Sequence, residues 1–338
     1  MEVAPRPGAA QISACSSRWG GAEFMKRLDR ILAVLDPTAH SQPALAKATR
    51  LAAASNASLE LFVCDYEPAL ANPRLFADDR LRVLREEFLA RHKSMLERHA
   101  TDLRSQGLTV TAEVRFDTPV HQGIVAHTRE SAPDVVVKDT HYHGPIRRTI
   151  FTNTDWNLIR SCPVPLLLAK AGEWRKPPRI MVAVDPGHED DPRAALDHEL
   201  LRAGSALAQL LAGDLNVMHA FFPAELIASA TGMVAGPSID GGTITELLEQ
   251  ERGRVREALA VLAREHAIAP GHVQFRQGPP VEVLCDVATE LPADIAVLGA
   301  IARGRLSEML IGSTAERVLD RMPCDILVVK TSRGDSAM

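Results

Sequence analysis

The chain has 338 residues, room for about two domains, and its 46% hydrophobic and 24% charged residues are the balance of a folded globular protein. A formal net charge of −5 argues against the basic face of a dedicated nucleic-acid binder, and no apolar run reaches the ~18–20 residues of a membrane span. The five cysteines (Cys15, Cys64, Cys162, Cys285, Cys324) are odd in number and form no CxxC pair, which points to buried thiols in a reducing compartment rather than a disulfide framework or zinc site.

Taken in chain order, the first two dozen residues are rich in Ala, Gly, Pro and Ser and show no periodicity. They lack the basic start and apolar middle of a signal peptide, so residues 1–25 read as a disordered tail and the expected location is the cytoplasm. Met25 reads as a candidate start, because "MKRLDRILAVLDP" leads straight into a strand. A first unit is expected over 26–171, with a long charged outer helix over 80–106. The joint falls in "AGEWRKPP" (171–178), where a Gly and a Pro pair punctuate a charged stretch. A second unit, 178–331, alternates strand and helix. "RIMVAVD", "LNVMHAFF", "HVQFRQG", "DIAVLGA" and "DILVVK" read as strands, with amphipathic helices between them. Residues 332–338 form a C-terminal tail. Continuous apolar strands between such helices indicate parallel sheets covered on both faces. The expected fold is α/β, two tandem doubly wound domains of about five strands each.

The chain repeats itself. "RLDRILAVLDP" (27–37) answers "KPPRIMVAVDP" (176–186) at a shift of 149, which sets Asp36 on Asp185. "SAPDVVVKDT" (131–140) answers "LPADIAVLGA" (291–300) at a shift of 160, and the same shift sets Thr154 on Thr314. Both halves close with a Cys near a short apolar strand, "SCPVPLLLAK" and "MPCDILVVK". Matches in one order indicate a duplicated domain. The last strands are natural edges to pair with each other, which makes an internal pseudo-dimer and leaves a homodimer open.

These stretches, above all "IFTNTDWNLIRSCP" and "IGSTAERVLDRMPCDILVVK", resemble the universal stress protein family in its tandem form, over about residues 26–331. The resemblance implies a strand order of 3-2-1-4-5 and an adenine-nucleotide motif of Gly, two residues, Gly, nine residues, then Gly-Ser or Gly-Thr. Gly299 and Gly312-Ser313 match; the middle glycine is Ala302, and Gly304 comes two residues late. Ligands of doubly wound sheets sit beyond the carboxyl ends of strands where the chain order reverses. The implied site therefore gathers Asp185 beside the ribose or a bound cation, Ala220 and Leu298 beside the base, and Gly299, Gly312, Ser313 and Thr314 around the phosphates. The following helix start would supply amides and a positive dipole end. Arg303 and Arg305 are cations that could meet a phosphate, and the expected ligand is ATP with magnesium. Ser313-Thr314-Ala315-Glu316 also fits a capping box that needs no ligand, and a strand-end glycine is ordinary turn chemistry; both readings stand at this stage.

In the first half, Asp139 replaces Gly299, Tyr142 replaces Ala302, and Thr152-Asn153 replace Gly312-Ser313. An aspartate where a phosphate would lie is repulsive, while Thr152 and Asp155 still supply helix-capping groups, so the helix start survives and the cradle does not. His141 and His143 form an H-x-H pair that reads as a solvated loop, no metal site being expected, and Cys162 and Cys324 read as structural thiols. The segment 224–243 has only Glu225 and Asp240 as charges; it reads as a flexible loop or as a lid offering apolar surface. Three functions follow. The first is a stress-response protein with a regulatory nucleotide in its second half. The second is a scaffold that takes an apolar small molecule or protein through 224–243. The third, an enzyme, is disfavoured because no catalytic arrangement recurs and neither H-x-G-H nor S-G-G-x-D-S occurs; weak ATP hydrolysis stays open.

Overall fold

The computed structural model describes residues 28–71, 78–140, 152–187, 192–223, 241–300 and 313–330. The first half runs β1 (Arg30–Val34), α1 (Pro43–Ser55), β2 (Ser58–Asp65), α2 (Asp78–Ser105), β3 (Val110–Phe116), α3 (Val120–Ser131), β4 (Val135–Asp139), α4 (Asn153–Ser161) and β5 (Leu166–Ala169). The second repeats it as β6 (Arg179–Ala183), α5 (Pro192–Leu211), β7 (Asp214–Phe221), α6 (Gly241–Glu265), β8 (Val273–Gln277), α7 (Pro280–Glu290), β9 (Ile295–Gly299), α8 (Ser313–Arg321) and β10 (Asp325–Val329). The expected α/β fold is present, and the two five-stranded sets join into one ten-stranded sheet, β3-β2-β1-β4-β5-β10-β9-β6-β7-β8.

Strand side chains alternate between faces, and the core divides accordingly. Ile31 and Ala33 of β1 join the layer that holds Leu51, Leu96, Leu200 and Leu259 of α1, α2, α5 and α6. Leu32 and Val34 join Ile124, Leu158, Val287 and Leu319 of α3, α4, α7 and α8 on the opposite face. Strands buried on both sides must be apolar throughout, which is why these segments read as unbroken hydrophobic runs.

Every strand contact within a half is parallel, and the one between halves is antiparallel: Ile326 pairs with Leu168, Leu327 with Leu167, Val328 with Leu166. Leu167 thus faces its own counterpart at the 160-residue shift, so the halves meet across an approximate twofold. Side chains follow it. Lys170 Nζ donates to the Met322 carbonyl, and its counterpart Lys330 donates to the Cys162 carbonyl at 2.8 Å. Cys162 therefore corresponds to Met322, and Cys324 to Val164, two residues away from the simpler cysteine-on-cysteine match. Burial raises the Cys324 thiol to about 12 and also lifts Cys162, as structural thiols require. The repeated "PD" and "AD" likewise have one task. Asp134 accepts the Asp29 and Arg30 amides at 2.8 Å each, and Asp294 accepts those of Arg175 and Arg179 at 3.1 and 2.7 Å.

One contact breaks the symmetry. Lys47 of α1 reaches into the second half and meets Asp325 at 2.6 Å, with the two side chains 5% and 3% exposed. Asp325 also accepts the Lys170 amide at 2.8 Å and the Trp174 indole N–H at 2.7 Å. Arg50 completes the clamp by donating to the Trp174 and Arg175 carbonyls at 2.8 and 2.7 Å. The joint is thereby fastened to both halves.

Candidate functional site

In the second half β6 stands between β7 and β9, both parallel to it. The chain leaves β6 toward β7 and returns on its other side to β9, so a crevice opens beyond the carboxyl ends of these strands. Leu298 and Gly299 close β9, Ala220 is the penultimate residue of β7, and Asp185 lies two residues past β6. The structure brings these four to one end of the sheet. Ser313 and Thr314 open α8. Ala302, Arg303 and Gly312 lie outside the described residues, as do Arg305, Tyr142, His141 and His143.

The loop after β6 is held from two helices. The Asp185 amide donates to Asp197 Oδ1 of α5 at 3.0 Å, and Arg254 of α6 donates to the Gly187 carbonyl at 2.9 Å. Gly187 has φ +105°, a backbone that glycine adopts without strain. The Asp185 side chain is 58% exposed and stands 3.9 Å from Nδ1 of buried His219. That nitrogen lies 2.9 Å from the Val184 carbonyl, so it carries the proton and donates. A carboxylate at the mouth, backed by a buried imidazole, can take a cation or ribose hydroxyls.

Gly299 has a packing reason of its own. A Cβ there would stand 2.6 Å from Cδ2 of Leu196 and 3.3 Å from Cδ1 of Leu200, so any larger residue would push these leucines aside and the seating of α5 on β9 favours a glycine. Its identity alone is not a ligand signal.

The first half shows what the same framework becomes when its crevice is filled. Lys138 stands where the second half has Leu298, and its Nζ lies 2.7 Å from Asp155 at the start of α4. Asp155 is completely buried and forms a reciprocal capping box: it accepts the Thr152 amide at 2.8 Å while its own amide donates to Thr152 Oγ1 at 3.2 Å. Asp139 does not simply repel a phosphate. Its Oδ1 accepts the Ala44 amide at 2.5 Å, at the start of α1, while its Oδ2 is buried without a partner among the described residues. Burial raises this carboxyl to about 6, against the opposing pull of the Ala44 amide and Lys138. Two helix starts thus hold the chain's own carboxylates. At the corresponding positions the second half has Leu298, Gly299 and Ala315, none of which carries a charge.

Sequence reasoning found the capping role of Thr152 and Asp155 but missed Lys138, Asp197 and His219. The signal for Lys138 was present: a lysine inside the apolar run "VVVKD" must find a buried partner. Asp197 and His219 sit in otherwise ordinary helix and strand patterns, and only the fold brings them to the loop.

The Universal stress protein family model matches residues 27–170 and again 177–330. The chain belongs to the universal stress protein family. It is 27% identical over 306 residues to Universal stress protein E of Escherichia coli K12, covering 90% of this chain and 95% of that one. It is 26% identical to a Universal stress protein E homolog of Haemophilus influenzae, covering 91% and 99%. The tandem form is therefore shared across nearly the full length of these relatives. Among solved structures, a functionally unknown protein from Pseudomonas aeruginosa PAO1 superposes with a TM-score of 0.71 at 26% identity, covering 92% and 95%. A universal stress protein from Archaeoglobus fulgidus shares the fold, with a TM-score of 0.61 at 14% identity, covering 93% and 100%. Among the described residues no three His, Cys, Asp or Glu side chains gather to hold a metal, and no helix is long and apolar enough to cross a membrane.

Proposed function

We propose that this tandem universal stress protein acts in the cytoplasm as a binding and regulatory protein, rather than an enzyme, and takes one adenine nucleotide, ATP with magnesium, in its second half. The units are 26–171 and 178–331, between tails 1–25 and 332–338. The observation that carries the reading is the contrast between the crevices. Lys138, Asp139 and Asp155 occupy the first with internal charge, whereas the second keeps Leu298 and Gly299 beside the exposed Asp185 carboxylate. Ala220 and Leu298 would border the base, Asp185 the ribose or magnesium, and Gly312, Ser313 and Thr314 the phosphates, with Arg303 as counter-cation. Ala302 restricts the loop relative to a glycine there. Calorimetry with ATP and magnesium checks this through two variants: Gly312→Asp abolishes binding and Ala302→Gly strengthens it. Binding indifferent to Gly312→Asp would reject the site.

A second reading, a scaffold for a lipid-like ligand or protein partner at 224–243, is favoured by one observation. Phe222 and Leu247, on either side of residues 224–240, are 41% and 37% exposed and so offer apolar surface next to that segment. Retention of a fluorescent fatty acid that Phe222→Ser lowers, with no ATP binding, would select it.

A further inference from the structure

His198 lies on α5 and His266 just past the end of α6, and they face each other across the contact between those helices. Nδ1 of His198 is 2.9 Å from Nε2 of His266. The ring centroids are 5.2 Å apart, the separation reached when the two nitrogens point straight at each other. That geometry suits a shared proton better than a metal ion, toward which both lone pairs would have to turn. Glu265 Oε2 lies 4.0 Å from Nε2 of His198, and the 2.9 Å contact between the rings needs one nitrogen to donate and the other to accept. Two groups on α5 also face the pair: Arg202 and Glu199, themselves joined at 2.7 Å.

We infer that His198 and His266 form a proton-operated clasp between α5 and α6, closed while one ring nitrogen can accept from the other and opened when both rings carry charge. Double protonation leaves two donors facing each other at hydrogen-bond distance beside the Arg202 cation, opposed by the carboxylates of Glu265 and of Glu199, the latter already paired with Arg202. Burial, the neighbouring His198 and Arg202 all lower the His266 titration from its ordinary 6.5, with Glu265 pulling the other way. A histidine held neutral by the fold destabilises it where the unfolded chain gains the proton first, so the contact weakens as pH falls through about 6.5.

The repeat gives the clasp a built-in control. The shifts of 149 and 160 place Thr49 and Gln106 at these positions in the first half, and neither titrates. The device belongs to the half with the candidate site, and its two helices are those that hold the loop after β6, through Asp197 and Arg254. Opening the clasp would loosen that loop. This last link to ligand affinity rests on the proposed nucleotide site; the clasp itself does not.

Two measurements on the full chain test it. In a histidine NMR titration the rings are expected to protonate in two coupled steps, and the ring left in His198→Thr or in His266→Gln to titrate in a single step. Independent titration of both rings in the wild type overturns the proposal. In hydrogen exchange, corrected for intrinsic rates, protection of the last turns of α6 and of the amides of Val184, Asp185 and Gly187 should fall as pH drops from about 7.5 to about 5.5, through the ordinary histidine value of about 6.5. The His198→Thr/His266→Gln double variant, which installs the first half's residues, should lose that pH dependence. A wild type without the fall, or a variant with the same fall, overturns the clasp whether or not ATP binds. A clasp that behaves as described in a chain that binds no nucleotide sinks only the nucleotide reading.

Discussion

Asp139 shows how much one residue decides. At the place where the second half has a glycine it supplies a buried carboxylate to the start of α1, and its second oxygen has no partner among the described residues. Because burial raises its titration from 3.8 to about 6, the folded state holds the proton longer than the unfolded one. Its stabilising contribution is full below about pH 3.8 and is lost as pH rises toward about 6. Asp139→Asn keeps an acceptor for Ala44 and removes the charge. The stability difference between variant and wild type should therefore grow in the variant's favour between about pH 4 and about pH 7, by on the order of 2–3 kcal/mol. Urea unfolding at the two pH values reads it, and parallel pH profiles would show that Asp139 is not the group that titrates. Gly299 teaches the complementary lesson. The motif made it a ligand-facing residue, yet the packing of Leu196 and Leu200 already favours a glycine there. Sequence places the residue; only packing tells which of two causes chose it.

At the scale of elements, the alternation of apolar strands and amphipathic helices was legible because a doubly covered sheet imposes it on every strand. The reading of 80–106 as an outer helix holds as α2, Asp78–Ser105. What could not be read was the use of its cations. β3 is an outer strand of the sheet. Lys93 Nζ donates to the Ala112 carbonyl, and Arg104 Nε to that of Val110 at 2.8 Å. These carbonyls would otherwise offer a template to another strand, so α2 blocks the edge. The sequence shows only a charged helix face, because the strand it covers follows after a turn whose geometry is not written in the spacing. Lys93→Ala with Arg104→Ala should cost no more than about 1–2 kcal/mol in stability while raising concentration-dependent association. Light scattering at matched folded fraction would detect it, and unchanged association would mean that the edge is guarded elsewhere.

On the scale of the whole molecule, duplication placed in one polypeptide a contact that halves make across β5 and β10. The repeat was visible as two shifts, 149 and 160, and the pairing of the last strands followed from their being edges. The asymmetric latch was not visible, because Lys47 and Asp325 lie 278 residues apart and neither has a charged counterpart in the other half: their equivalents are Leu196 and Pro165. Asp325→Ala leaves Lys47 buried without its carboxylate and should cost about 3–5 kcal/mol, whereas Lys47→Met with Asp325→Asn, which keeps an acceptor for the Lys170 amide and the Trp174 indole, should cost less. Thermal unfolding of the two variants would separate them, and equal losses would argue against a buried ion pair.

Sequence reasoning located Asp185, Leu298 and Gly299 at one end of the sheet, and the structure adds how the halves differ there: the first buries the chain's own charges, Lys138, Asp139 and Asp155, at the corresponding positions. Native mass spectrometry of the intact chain with ATP and magnesium tests that asymmetry most directly. The account predicts one nucleotide per chain, lost in Gly312→Asp. Two nucleotides per chain, or one that survives Gly312→Asp, would contradict it.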